Sequence, residues 1–356
     1  MSVINLPFVS VILPIRNESA HIAPVLSAVL AQDYPADKME IIIADGMSTD
    51  DTKEIILKLL STVCRRSSTV VLDNPKKIVP TGLNLALRRA KGEIIVRVDG
   101  HTLIAPDYVR QCVDAQHRSG AQNVGGRMNA QGRGAFGQLV ALATSTPFGV
   151  GGARFHYSDA EEWVDTVYMG AWPRTIFEQI GLFDEELVRD QDDEFNYRLR
   201  EHGGRILLSP LIRSEYTVRS TPRALWRQYY QYGFWKVRVL QKHPRQMRPR
   251  QFIPPVFALS LLLSFAFALS FLLYPSYFLL LPSSFILLSY IIANLVVSIF
   301  TVINKKSALY SLFSLPLIFF ILHISYGLGF LAGLIKFANR WDDKHGQTPS
   351  LVSRDA

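Results

Sequence analysis

The chain is nearly free of cysteine. Its 356 residues hold only Cys64 and Cys112, without metal-type spacing. That leaves no basis for a disulfide scaffold or a cysteine zinc site, and it suits a reducing cytosol. Acids are almost missing from residues 213–250, where ten Lys/Arg stand against the single Glu215, so this stretch alone accounts for the formal charge of +8. Charge of either sign is absent from residues 251–304. One helix of that length would run about 80 Å at roughly 1.5 Å per residue, too long for one buried helix of a soluble domain. Residues 1–13 lack a basic n-region and run straight into a strand pattern, so no secretory signal is read there. No G-x-G-x-x-G follows a strand and no G-x-x-x-x-G-K-S/T occurs, which weakens dinucleotide and P-loop readings. No internal repeat or low-complexity segment is visible.

The uncharged stretch fits two membrane spans of about 30 Å hydrocarbon each and a turn. The pattern predicts spans over residues 256–274 and 284–303, with Pro275 and Pro282 between them and Asn304-Lys305-Lys306 as the stop. Residues 307–335 are apolar again, with His323 as the one titratable side chain. They read as a third span, or as a re-entrant or interfacial pair broken at Pro316, Gly327, Gly329 and Gly333. A basic block beside such segments points to an anionic membrane face and not to nucleic acid. With the N-terminal domain cytosolic, residues 213–250 and Lys305-Lys306 lie on the cytosolic side of the inner membrane. A third span then puts the polar tail, with Lys336, Arg340 and Lys344, outside, which the charge rule supports only weakly.

The first 212 residues read as α/β. Strand patterns at residues 8–14, 40–44, 69–73 and 93–98 alternate with helical patterns at 21–31, 51–60 and 81–90. Such alternation implies a mostly parallel sheet covered on both faces. The expected organisation is a domain over 1–212, basic and aromatic interfacial helices over 213–252, about three transmembrane helices over 253–337, and a polar tail over 338–356.

In an open parallel sheet, ligands bind at the carboxyl ends of the strands. Three acids sit at such places: Asp45, Asp99 and Asp192. The stretch GEIIVRVDGHT is an apolar run that ends at Asp99 and His101. On an extended chain residues i and i+2 share a face, so the two can address one divalent ion; a plain polar loop is the alternative. Asp45 can accept from a nucleobase N–H or serve only as a turn residue, with Ser48, Thr49 and Asp50 available to cap the next helix. Pro14, Asn17 and Glu18 follow the first strand and can wrap a nucleotide or simply start a helix. Four of the five residues 190–194 are acidic, and their mutual repulsion asks for a cation or a catalytic purpose. A carboxylate there, Asp192, can act as general base on an acceptor hydroxyl. In QYYQYGFW, Tyr229 and Tyr230 suit an interfacial helix, whereas Trp235 suits acceptor contact.

Taken in order, VSVILPIRNE, IIIADGMSTDDT, GLNLALRRAKGEIIVRVDGHT and QDDEFNYRLREHGG resemble the family-2 glycosyltransferases of GT-A fold. PFGVGGARFHY, VDTVYMGAWPR, IGLFDEELVRDQDDE and QYYQYGFWK, with the apolar C-terminal part, look more narrowly like membrane-anchored exopolysaccharide enzymes of the succinoglycan ExoA type. The resemblance covers nearly the whole chain. It implies inverting transfer from a nucleotide-diphosphate sugar, usually UDP-linked, with Mg²⁺ or Mn²⁺. By the same resemblance Pro14, Asn17, Glu18 and Asp45 contact the nucleotide. Asp99 and His101 hold the D-x-D place, and Asp192 is the base. Asp193, Arg198, Gln231 and Trp235 are acceptor or auxiliary residues.

The chain departs from the pattern at His101, at Gln191 in place of Glu, and at Phe234 where processive synthases carry Arg, which favours single-sugar addition. The implied acceptor is a polyprenyl-linked saccharide at the membrane, in cell-surface polysaccharide synthesis. A polyprenyl-phosphate glycosyltransferase is the close alternative. A non-catalytic membrane scaffold and a metal-dependent nucleotidyltransferase are more distant ones.

Overall fold

The computed structural model describes residues 6–62, 68–271, 277–343, 346 and 348–351. Cys64 and the end of the first expected span lie outside them. The chain forms two compact units, and neither is a continuous stretch. The first takes Met1–Asn129, Ala153–Thr217 and Gly346–Ala356; the second takes Ala130–Gly152 and Val218–His345. Residues 130–152, read as part of the first domain, therefore belong with the apolar helices, and the tail belongs with the sheet.

The first unit opens with the alternation read from the sequence: β1 (Val9–Ile15), α1 (Ile22–Leu30), β2 (Met39–Asp45), α2 (Thr52–Ser61), β3 (Thr69–Asp73), α3 (Val79–Arg89) and β4 (Ile94–Arg97). β5 (Thr102–Ile104), α4 (Tyr108–Ser119) and β6 (Asn123–Gln131) follow. The chain then passes through α5 (Gly134–Thr144) and α6 (Pro147–Val150) of the second unit. It returns as β7 (Glu162–Val164), β8 (Tyr168–Pro173), α7 (Arg174–Ile180), α8 (Gln191–Glu201) and β9 (Ile206–Thr217).

Among the described residues the sheet has nine strands in the order β3-β2-β1-β4-β8-β6-β9-β5, with β7 on β9. β3, β2, β1 and β4 are parallel; from β8 onward the pairs β4–β8, β8–β6, β9–β5 and β9–β7 are antiparallel. Every residue of β1 and β2 is buried, as their unbroken apolar runs require. Val11, Leu13, Ile41 and Ile43 enter the core shared with α1 and α4. Their neighbours Ile12 and Ile42 enter the opposite core with Trp172, Phe177, Phe183 and Phe195. The parallel register places Ile15 beside Asp45 and Asp45 beside Asp73, so three strands end level at one edge.

The second unit holds α5, α6, α9 (Pro222–Lys242), α10 (Ile253–Phe271), α11 (Tyr277–Asn304) and α12 (Ser311–Lys336). Pro282 lies within α11 and not between helices. Among the described residues, three stretches are long and apolar enough to cross a membrane: Pro249–Phe267, Ser284–Asn304 and Ser311–Lys336. α9 packs closely on α12; a β-carbon at Gly233 would overlap the Tyr326 carbonyl, and one at Gly329 would overlap that of Tyr230. The basic block does not all face outward. Lys236, Arg238 and Lys242 are buried. Arg238 donates to Gln241 Oε1 at 2.8 Å and to the Asp343 carboxylate at 3.3 Å. Buried cations of this kind tie helices together and are withheld from a lipid surface.

Candidate active site

Two loops at the carboxyl edge of β1 and β2 are stitched to each other. Gly46 N–H donates to Ile15 O at 2.8 Å, Asn17 N–H to Ser48 Oγ at 2.9 Å, and Glu18 N–H to Thr52 Oγ1 at 2.8 Å. Asn17 adopts a left-handed φ of 54°, which a short amide side chain tolerates, and its Oδ1 accepts from Thr49 N–H at 2.8 Å. Glu18 then starts α1, its carbonyl accepting from His21 and Ile22. Asp45 is 1% exposed, and its carboxylate accepts from the Ser48 hydroxyl at 2.5 Å and the Ser48 N–H at 3.2 Å. In this structure Asp45 is the anchor of the turn that shapes the loop; Pro14 and Asn17 shape its other side.

Asp99 and His101 do not lie on an extended strand. They sit in the turn between β4 and β5, closed by Thr102 N–H donating to Asp99 O at 3.0 Å. The expected shared face is therefore replaced by separate partners. His101 Nδ1 meets Glu18 Oε1 at 3.0 Å, and its ring stands edge-on to Tyr216 at 5.4 Å. Asp99 is gripped at both oxygens by Arg97, from Nε at 2.7 Å and from Nη2 at 3.2 Å. Tyr168, whose hydroxyl is 2.6 Å from Thr102 Oγ1, and Tyr216 line the same turn.

Arg97 was not among the residues expected from sequence, although one cation inside the apolar run GEIIVRVDG was a visible signal. Its side chain is 6% exposed and its Nη1 has no hydrogen-bond partner among the described residues. Burial opposes the charge, but Asp99 and then Asp192 outweigh it and raise the guanidinium pKa. Asp192 lies in the first turn of α8, behind Asp190 in a left-handed conformation with φ 60°. Burial pushes the Asp192 carboxyl up, Arg97 pulls it back, and Asp193 and Asp99 add to the rise. Asp99 and Asp192 thus act on one guanidinium, within electrostatic reach of each other.

Arg198 is committed elsewhere. It is 8% exposed, grips the Glu194 carboxylate through Nε and Nη2 at 2.9 Å each, and donates to the carbonyls of Ile180 and, at 2.8 Å, Leu182. These bonds brace α8, which suits the auxiliary part of its expected acceptor or auxiliary role. Gln231 and Trp235 belong to α9 of the second unit, where Trp235 packs on Phe234 and Phe337 at 5.6 and 5.7 Å.

No group of three or more His, Cys, Asp and Glu capable of holding a metal occurs among the described residues. Of the expected ligands, Asp99 is the carboxylate that would hold a cation of the Mg²⁺ type, while Glu18 and His101 pair with each other. Such an ion takes one or two carboxylates from the protein and the remainder of its shell from water and phosphates.

Residues 10–181 match the family described as Glycosyl transferase family 2. The chain is 28% identical over 335 residues to the dolichyl N-acetyl-alpha-D-glucosaminyl phosphate 3-beta-D-2,3-diacetamido-2,3-dideoxy-beta-D-glucuronosyltransferase of Methanococcus voltae, over 92% of this chain and 98% of that one. It is 28% identical over 246 residues to the succinoglycan biosynthesis protein ExoA of Rhizobium meliloti, over 68% and 73% respectively. The mannosyltransferase PcManGT of Pyrobaculum calidifontis, solved with GDP-Man and Mn²⁺, superposes with a TM-score of 0.57 at 20% identity, over 91% of this chain and 87% of that one. The likeness to that structure is one of fold.

Proposed function

Starting from a chain whose residues 10–181 are a family 2 glycosyltransferase domain, on a GT-A-like sheet, we propose an inverting transfer. The sugar passes from a nucleotide-diphosphate donor, UDP-linked by resemblance, to a lipid-linked saccharide in cell-surface polysaccharide synthesis. The Methanococcus relative, named for a dolichyl-linked sugar phosphate, aligns over almost its entire length and supports this acceptor class. The apolar helices support a site kept beside a membrane-bound substrate, and the basic residues 213–250 beside them favour a cytosolic catalytic unit.

The observation that carries the reading is the grip of the buried Arg97 on Asp99 at the edge where the parallel strands end, with Asp192 near enough to help raise the same guanidinium's pKa. The loop of Pro14, Asn17 and Glu18, clamped to the 45–52 turn, forms the donor cradle. Asp99, with His101 beside it, would hold Mg²⁺ or Mn²⁺, which supplies Lewis-acid neutralisation of a leaving diphosphate when bound. Arg97 fixes the Asp99 carboxylate and offers its spare Nη1–H to developing negative charge. Asp192 accepts the acceptor's hydroxyl proton as the oxygen attacks the anomeric carbon, and one displacement inverts that carbon.

The test is a screen of radiolabelled nucleotide sugars with membranes holding the protein, scored by label reaching lipid. Asp192→Asn should cut transfer by about 10²–10⁴-fold while nucleotide-sugar binding persists. Undiminished turnover would remove Asp192 from the base role and favour a lipid-phosphate acceptor, which needs no base.

A further inference from the structure

We propose that α12 does not cross the bilayer. It lies along the membrane face on the catalytic unit's side, and the chain crosses twice, through α10 and α11. The inference does not rest on the sugar-transfer reading.

The first argument is parity. Pro349 O accepts the Leu182 N–H at 2.9 Å, and Leu351 packs on the core that contains Phe177 and Leu182. The tail is thus built into the sheet unit, which the chain leaves after Thr217 and re-enters at Gly346. Leaving a folded unit and rejoining it takes an even number of crossings. Among the described residues, three helices have the length and apolarity to span. At least one of them does not.

The second argument identifies which. From its N-cap to its midpoint, α12 touches the 130–152 segment: Tyr310 Oη donates to Gln138 Oε1 at 3.4 Å, Phe148 meets Phe319 at 4.9 Å, and His323 Nε2 is 2.7 Å from Phe148 O. That segment leaves the sheet unit at Asn129 and rejoins it at Ala153. Its helices have 11 and 4 residues, whereas a crossing takes about 20. Past its other end the chain touches α9. Gln241 Nε2 donates to Phe337 O at 2.7 Å and Arg238 Nη1 to Arg340 O at 3.3 Å. α9 begins shortly after the sheet unit and carries Arg223, Arg227, Lys236, Arg238 and Lys242, too many charges for a span. Both ends of α12 are therefore held by segments that never crossed. A helix of 26 residues rises about 39 Å, so as a span it would carry its ends to opposite faces of a core about 30 Å thick.

Burial agrees. Half of the most apolar stretch of α12 is buried within the protein, against 17% and 22% for those of the other two. Phe313 and Leu317, one turn apart, and Ile335 remain exposed for the acyl boundary. Two crossings also put Lys305, Lys306, Lys336 and Arg340 on one side, as the positive-inside rule prefers.

The experiment places single cysteines on either side of α12, at Leu309 and Ser350, and one at Ser61 to mark the sheet unit, with Cys64 and Cys112 replaced by serine. Membrane-impermeant maleimide is applied to sealed inverted and right-side-out vesicles, and each signal is divided by that after detergent. All three sites should label near completely from the same side and lose label from the other. Labelling of Leu309→Cys and Ser350→Cys from opposite sides would overturn the proposal. An epitope tag after Ala356 in the otherwise native chain gives an independent reading: protease added on the sheet unit's side should remove it, and protection would overturn the proposal.

Discussion

At the scale of single residues, the site turns on Arg97. A guanidinium holding both oxygens of Asp99 fixes that carboxylate in direction as well as in charge. Arg97→Met should lower transfer at least 100-fold. Arg97→Lys should recover only part of it, because an ammonium cannot reproduce a two-point grip. Donor KM against kcat, with the melting temperature as control, separates positioning from folding. As the proposed base, Asp192 should set the pH dependence. Burial, first, and the neighbouring acids raise its pKa, and a base must be unprotonated. The acidic limb of kcat/KM should therefore lie above the ordinary carboxylate range, with activity lost as pH falls through it. Asp193→Asn removes one of the charges that raise it and should move the limb to lower pH. A limb that stays in place would sever the link between Asp193 and the base.

At the scale of elements, α8 presents Asp192 because the far side of its first turns is braced. Arg198 joins the Glu194 carboxylate to the Ile180 and Leu182 carbonyls, so the helix cannot slide on the chain that follows α7. Removing one partner of such a pair leaves a buried charge uncompensated. Arg198→Met should destabilise the protein by about 3–5 kcal/mol. The loss will show in the denaturation midpoint, whereas nucleotide-sugar affinity of the folded protein should be nearly unchanged. A selective loss of acceptor affinity in a stable variant would return Arg198 to acceptor contact.

At the scale of the whole molecule, acid should loosen the fold through His156. Its ring stacks on Phe155 at 4.5 Å, its Nδ1 is buried without a partner among the described residues, and burial lowers its pKa from 6.5 to about 3. The unfolded chain thus takes up a proton that the folded one refuses. The stabilisation is full above pH 6.5 and is lost as pH falls toward 3. For one proton the slope is at most about 1.4 kcal/mol per pH unit. His156→Gln should flatten the melting temperature over that window. An unchanged slope would mean that another group governs acid sensitivity.

Much of this protein was legible in order along the chain. The strands and helices up to β4 fall where periodicity predicts them, and Asp45 and Asp99 come at or just past strand ends. The apolar helices also match their uncharged stretches. Those features depend on neighbours a few residues away, and burial of an apolar face demands them wherever the chain goes. Other features depend on partners far along the chain. Among them are the antiparallel half of the sheet, the influence of Asp192 on the Arg97–Asp99 pair, the burial of Arg238 and the bracing role of Arg198. The passage of residues 130–152 into the second unit and the return of the tail to the first belong with them. The sequence by itself determined which segments must be buried and which residues carry chemistry. Only the tertiary structure decided which of them meet, because pairing across long loops is set by chain topology and leaves no local periodic signal.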